Sequence, residues 1–359
     1  MSKRIGILTA GGDCPGLNAV IRSVTKTAFS HRWEVIGFTD GFRGVVENNF
    51  RRLSNPDVSG IINLGGTILG TSNISNPFRF PVRHNGKLSF EDRSKDAIHH
   101  IRSLQLNALV CIGGDGTFAI AEKFLRKKIP IVGIPKTIDN DLSGTDYTFG
   151  FQTAVSIATD AVDRLHTTAA SHHRVMILEV MGRYAGWIAL YAGTAGGADV
   201  ILIPEIPYEI DAICEHVWKR AQFGKRFSLV VMGEGAKAKG GKIIVNRIVR
   251  GSTDPLRLGG VGEVLGRQIE SKTGIETRVS VLGHIQRGGS PIPEDRNLGT
   301  LLGHQAVELI RQKKFGYMAA LRSGNITSYP IKDAIRARKL VPRNHPLIIA
   351  ARKVGTSFG

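Results

Sequence analysis

The sequence has little cysteine: Cys14, Cys111 and Cys214 lie far apart, with no C-x-x-C pair. Such usage excludes a disulfide framework or a zinc-binding array and suits a reducing, cytoplasmic setting. Long apolar runs are absent as well. No stretch reaches the roughly eighteen residues that a membrane helix needs, and only a short, weakly apolar segment separates Met1-Ser2-Lys3-Arg4 from Gly11-Gly12-Asp13. Neither a membrane span nor an export signal is expected. Acidic residues are scarce beside basic ones, 30 against 48, for a formal charge of +18. That excess raises nucleic acid as a partner, but the basic residues are scattered, as at Arg51-Arg52, Lys127-Lys128, Lys225-Arg226, Lys313-Lys314 and 336–339, with no basic tail and no stripe interleaved with aromatics. A nucleic-acid partner is therefore not expected. The same field speeds encounter with small anionic substrates.

Several nucleotide and metal motifs are missing too. Gly-Lys pairs begin at 86, 224 and 241, but the next residue is Leu, Arg or Ile, never the Ser or Thr of a P-loop. Asp139-x-Asp141-x-Ser143-Gly144 opens like a calcium loop, yet its twelfth position is Gly150 where a bidentate Glu is required. Gly114-x-Gly116-x-x-Ala119 has the spacing of a dinucleotide fingerprint, but Asp115 would press a carboxylate against the pyrophosphate.

What is present is glycine, 43 residues of it, in a chain of 359 residues that is 42% hydrophobic and long enough to bury two cores. Apolar runs at 5–9, 34–38, 108–112, 131–134, 174–180, 200–203, 228–232 and 277–282 read as strands. Helix-periodic segments fall between them at 17–30, 93–104, 151–168, 184–194, 210–222, 260–273 and 296–311. The alternation predicts an α/β fold with largely parallel sheets. The polar stretch from Asn73 to Lys87 reads as a long loop, and 139–149 as a crossing between two lobes with the active cleft beside it.

Two glycine-hinged acidic turns carry the chemistry. Gly113-Gly114-Asp115-Gly116-Thr117 follows one buried strand, and Pro135-Lys136-Thr137-Ile138-Asp139-Asn140-Asp141 follows the next. Both emerge at the carboxyl edge of a parallel sheet, where open α/β folds bind ligands. Glycines let the backbone approach a phosphate, whereas a bare aspartate repels it; the two are reconciled if Asp115 holds Mg²⁺ that bridges phosphate oxygens. Asp139 is then placed as a general base toward a hydroxyl, with Thr137 and Asp141 two residues to either side and Lys136 facing the donor. At other strand ends, Met181-Gly182-Arg183 and Met232-Gly233-Glu234-Gly235 offer a guanidinium and a carboxylate, and the run from Arg278 to Ser290 exposes His284 and Arg287 on a glycine-flanked loop suited to a phosphomonoester.

Jointly, Gly11-Gly12-Asp13-Cys14-Pro15-Gly16-Leu17-Asn18, Gly65-Gly66-Thr67, 113–117, 135–141, Met181-Gly182-Arg183 and 283–291 make the chain resemble the 6-phosphofructokinase family from residue 1 to about 335. The resemblance implies two three-layer α/β lobes with the site between them. Residues 1–149 would form the nucleotide lobe, completed by about 286–335; 150–285 would form the sugar-phosphate lobe, and 336–359 an extension packing on both. It further implies a glycolytic transfer of a phosphoryl group from Mg-ATP to fructose 6-phosphate. Gly11, Gly12, Asn73, Arg79 and Gly114, Asp115, Gly116 and Thr117 would hold the nucleotide, with Asp115 on Mg²⁺. Asp139, Thr137 and Arg183 would be catalytic, and Ile138, Met181, Gly182, Glu234, His284, Ile285, Gln286 and Arg287 would hold the sugar phosphate. Arg174 and Arg278 would reach it across a subunit interface, implying an active dimer at minimum and a homotetramer. Arg22, Lys26 and Lys225 resemble an effector-site cluster in which His166 replaces an expected arginine.

Donor choice turns on two positions. Gly116 resembles the ATP-using pattern, because pyrophosphate-using relatives carry an Asp there, while Lys136 resembles those relatives. Exclusion of the nucleotide by a carboxylate at 116 weighs more than an extra cation at 136, so ATP is the expected donor. Three alternatives stay open: a pyrophosphate-dependent phosphofructokinase, an NAD or lipid kinase sharing only the 113–117 run, and an inactive nucleic-acid-binding relative.

Overall fold

The computed structural model describes residues 3–84, 87–248 and 256–359, and positions 85 and 86 of the expected loop, including Gly86 of the first Gly-Lys pair, lie outside them. In chain order, β1 (Arg4–Thr9), α1 (Leu17–Ser30), β2 (Glu34–Phe38), α2 (Phe42–Glu47), β3 (Phe50–Arg52), β4 (Phe80–His84), β5 (Lys87–Glu91), α3 (Ser94–Ser103), β6 (Ala108–Gly113), α4 (Asp115–Arg126) and β7 (Ile131–Pro135) build most of a first layer system. The chain then crosses to α5 (Phe151–His172), β8 (Val175–Val180), α6 (Trp187–Ala195), β9 (Val200–Leu202), α7 (Ile210–Gln222), β10 (Ser228–Gly233), β11 (Val245–Ile248), β12 (Leu256–Leu258), α8 (Val261–Thr273) and β13 (Thr277–Val281). It returns through α9 (Pro293–Arg311), β14 (Tyr317–Arg322), β15 (Asn325–Pro330) and α10 (Ile331–Ala334), and α11 (Pro346–Lys353) follows.

Two sheets result. The first has the order β15-β14-β7-β6-β1-β2-β3 and the second β13-β8-β10-β9. All neighbours in the second run parallel, and in the first only the outer strands β15 and β3 are antiparallel. Strands buried on both faces need apolar residues at every position, which is why they read as continuous runs. Successive residues nevertheless serve different cores. Ile5, Ile7, Val110 and Ile112 join one cluster while Leu8, Leu109 and Cys111 join another on the opposite face. The first of these clusters continues through α5 and α6 to Leu178 and Ile201, so a single apolar layer connects both sheets. All three cysteines are buried and free.

The structure corrects the expected loop. Its second half is a β-hairpin pairing Phe80 with Glu91 and Val82 with Ser89, because Phe80 and Val82 find apolar partners in the first sheet's outer core. The β14–β15 hairpin was also not expected. Its β14 extends the first sheet parallel to β7 through a short run, Met318-Ala319-Ala320-Leu321, of residues that favour helix over strand. Helix α5 runs on to His172, and α9 starts three residues early, at a proline whose fixed φ suits a first helical turn.

One buried carboxylate fixes how the returning helix meets the crossing. Asp295, in the first turn of α9, accepts hydrogen bonds from the Gly150 N–H (2.8 Å), the Thr153 N–H (2.7 Å) and the Thr153 hydroxyl (2.5 Å). It therefore sits at the N-termini of α9 and α5 together, where orphan backbone donors and both helix dipoles favour it. Burial pushes its pKa up, and the bonds from Thr153 and Gly150 oppose that. Asp295→Ala strips several buried donors of their acceptor at about 1–3 kcal/mol each, so the urea midpoint should fall by the equivalent of roughly 2–5 kcal/mol. An unchanged midpoint would contradict this role.

Candidate active site

The first glycine turn exists because β6 must stop and α4 must start within one residue. A Cβ on Gly113 would lie 2.2 Å from the Thr117 hydroxyl, so only glycine lets the chain fold back this tightly. Asp115 opens α4, and its carboxylate accepts from the Gly116 N–H at 2.6 Å while the side chain stays half exposed. The neighbouring turn is laced to this one through the Lys136 N–H, which donates to the Gly113 carbonyl at 3.0 Å.

Beyond Lys136 the chain is held by its own polar groups. The Thr137 hydroxyl accepts from the Asp139 N–H at 3.1 Å and donates to Asp141 at 3.3 Å. Thr148 closes the loop, its hydroxyl donating to the Thr137 carbonyl at 2.6 Å and its N–H to the Asn140 side chain at 3.1 Å. Asp139 Oδ1 is left buried with no hydrogen-bond partner among the described residues. In the second sheet, β8 and β10 are tied at their ends by the Glu234 N–H to the Val180 carbonyl (2.8 Å) and the Gly235 N–H to the Gly182 carbonyl (3.2 Å), which brings Arg183 and Glu234 side by side.

These strand ends enclose one cavity of about 570 Å³. Gly11, Gly12, Asn73, Gly114, Asp115, Gly116, Thr117, Lys136, Thr137, Asp139, Met181, Arg183, Glu234, His284 and Arg287 all line it. Ile138 is buried behind the wall, Gly182 does not line it and spends its carbonyl on the Gly235 N–H, and Gln286 is fully buried with its amide donating to the Gly283 carbonyl. Ile285 points to solvent. Arg174 and Arg278 also lie outside the cavity, both joined to Glu276, the first at 2.6 Å. Arg79, expected at the nucleotide, is turned away: it immediately precedes β4, and the hairpin lays its guanidinium over the Phe90 ring at 4.5 Å.

Phe42, Tyr184 and Arg338 line the cavity without having been read from the sequence. Arg338 sits in the basic run 336–339, which carries no glycine turn or strand end to distinguish it from solvated surface. Its guanidinium pairs with Asp115 at 3.1 Å and approaches Asp141 at 3.9 Å.

Charge is the dominant property of the pocket. Burial raises the pKa of Asp139, with Arg287, Arg183 and Lys136 pulling it down and Asp115 pushing it further up. Asp141 is pushed up to about 7 by burial and then by Asp139 and Asp115. Glu234 is likewise pushed up to about 7 by burial and Asp139. Lys136 is buried against the Gly12 carbonyl, and desolvation lowers its pKa. Arg287 donates to the Asp13 carbonyl at 2.9 Å, and a Cβ on Gly12 would lie 2.7 Å from its Nη1. The glycine turn after β1 and the loop that carries Arg287 therefore touch.

A family model described as phosphofructokinase matches residues 4–310. The chain is 51% identical to ATP-dependent 6-phosphofructokinase 2 of Clostridium perfringens, over 99% of this chain and 98% of that protein. It is also 51% identical to an ATP-dependent 6-phosphofructokinase of Chloroflexus aurantiacus at the same coverage. A crystal structure of Pichia pastoris phosphofructokinase in the T-state superposes with a TM-score of 0.80 at 30% identity, covering 93% of this chain and 35% of that one. On the family match and these near-full-length relatives, the chain belongs to the phosphofructokinase family.

Proposed function

We propose that this chain transfers the γ-phosphoryl group of ATP to the 1-hydroxyl of D-fructose 6-phosphate, giving fructose 1,6-bisphosphate and ADP. The observation that carries the reading is a single cavity in which the buried, unpartnered Oδ1 of Asp139 stands between a glycine-hinged phosphate turn and the cations of the second lobe. Relatives covering almost all of the chain are named for this activity.

In this reading Gly11, Gly12 and 114–117 receive the nucleotide phosphates on backbone N–H groups at the start of α4. Asp139 takes the proton of the 1-hydroxyl as that oxygen bonds to the γ-phosphorus and the bond to the ADP oxygen breaks. Thr137 holds the Asp139 backbone, and Arg183 offsets the charge that develops. Glu234, Met181 and Gly182 orient the sugar, while His284 and Arg287 take its 6-phosphate together with the Ile285 and Gln286 segment. Arg174 and Arg278, outside the cavity, are assigned to a neighbouring subunit's 6-phosphate, which makes a dimer the smallest active unit of a homotetramer.

Magnesium fits the donor side. Among the described residues no cluster of three His, Cys, Asp or Glu could hold a metal by itself. Mg²⁺ in phosphoryl-transfer sites is usually held by one or two carboxylates plus substrate phosphates, and half-exposed Asp115 supplies a hard oxygen of that kind. When bound, the ion would be held through Asp115 and would supply charge neutralisation at the donor phosphates.

The base assignment makes two expectations. Asp139→Ala should lower kcat by roughly 10²–10⁴ with a smaller change in sugar KM, because the base acts mainly in the transition state. A near-normal rate would remove Asp139 from that role. Asp139 must also be deprotonated to accept a proton, and burial raises its pKa, so activity should be lost as pH falls through that raised value. The acid limb of kcat/KM is therefore expected above the ordinary carboxylate value of about 4, and a limb at or below that value would contradict it. A third expectation concerns the donor. Gly116→Asp places a carboxylate in the first turn of α4, inside the cavity, and should raise the KM for ATP by roughly tenfold or more through charge repulsion. Unchanged ATP kinetics would count against the exclusion argument.

A further inference from the structure

Asp115, Asp139 and Asp141 are three of the five carboxylates that line the cavity, and the cations that answer these three divide by position. Lys136, Arg183 and Arg287 act on Asp139. The cation that meets Asp115 and Asp141 is Arg338, at 3.1 Å and 3.9 Å respectively. Arg338 comes from the far C-terminal part of the chain, and its backbone is strapped to the loop that carries Asp139. Leu142 and Arg338 form an antiparallel bridge, the Ser143 hydroxyl donates to the Ala337 carbonyl at 2.7 Å, and the Lys339 N–H donates to the Asp141 carbonyl at 2.8 Å. The same strap is bonded to the second lobe, where the Trp187 indole donates to the Lys339 carbonyl at 2.8 Å and the Val341 N–H to Glu205 at 2.8 Å. The guanidinium itself rests on the Tyr184 ring, 3.9 Å from its centroid.

A backbone pinned this firmly carries a side chain that is free to exchange partners. Arg338 is 39% exposed and Asp115 50% exposed, so their ion pair is weak and screened. We propose that Arg338 is a positioning residue that occupies the cation seat at Asp115 and Asp141 in the empty site and yields it to a divalent cation arriving with the nucleotide. A free cation must displace the guanidinium and leave it facing like charge. A cation carried on a nucleotide brings phosphate oxygens, which give the displaced guanidinium a new charge-assisted partner. Arg338 thus makes entry of the metal depend on entry of the nucleotide. This inference rests on the reading of Asp115 as the metal carboxylate.

The test is binding of Mn²⁺ alone, titrated into nucleotide-free protein and followed by the electron paramagnetic resonance signal of the free ion. Arg338→Met keeps an apolar stem on Tyr184 and removes the charge. It should tighten Mn²⁺ binding by about fivefold, the range of a weak exposed ion pair, while Arg338→Lys should stay near the parent. Asp115→Asn in the Arg338→Met background should abolish the gain. If Arg338→Met lowers the thermal unfolding midpoint with Mn²⁺ affinity unchanged, Arg338 is only a strap residue and the proposal fails. A separate titration of Mn²⁺·ADP distinguishes the two readings: if Asp115→Asn leaves that binding unchanged, Asp115 is not the metal carboxylate, and the premise fails rather than the inference drawn from it.

Discussion

Mutual repulsion among Asp115, Asp139 and Asp141 is the constraint to which the rest of the site responds. Burial raises the pKa of Asp139 and Asp141, and neighbouring carboxylates add to it, Asp115 at Asp139 and Asp139 with Asp115 at Asp141. Such a group is stable only when cations from elsewhere in the fold surround it. They arrive from separate places in the chain: Lys136 from the end of β7, Arg183 from the end of β8, Arg287 from the turn before α9 and Arg338 from the C-terminal strap. The same arrangement leaves a carboxylate with a raised pKa, Asp139, next to cations that favour phosphate.

Assembling those cations requires two sheets to meet with their strand ends facing. The continuous apolar layer from Ile7 to Ile201 and the shared cap at Asp295 fix that meeting. The C-terminal strap adds a third connection. Lys339, half-buried beside the Trp187 ring, donates to the Asn140 side chain at 3.2 Å and the Thr145 carbonyl at 3.0 Å, and desolvation pulls its pKa down to about 8. The strap therefore braces the loop that carries Asp139.

What could be read from the sequence follows from the physics of each feature. Strands buried on both faces are continuous apolar runs, and a glycine turn behind such a run marks a ligand edge, so the segments at 108–117 and 131–141 were legible. Features that depend on partners distant in sequence were not. The hairpin β4–β5 reads as a polar loop because only Phe80 and Val82 meet a core. Asp295 looks like any acidic residue at a helix start until Gly150 and Thr153 are folded against it. Arg338 differs from its basic neighbours only through where the strap puts it, and Arg79 was misplaced because a hairpin, not a loop, follows it.

The central claim is that a carboxylate acceptor and an ATP-accommodating turn share one cavity. Its most direct test is a coupled assay of the purified protein on fructose 6-phosphate, with ATP and pyrophosphate compared side by side. Rapid formation of fructose 1,6-bisphosphate with ATP and little or none with pyrophosphate is the predicted result. Turnover with pyrophosphate that matches or exceeds ATP, or none with either donor, would contradict it.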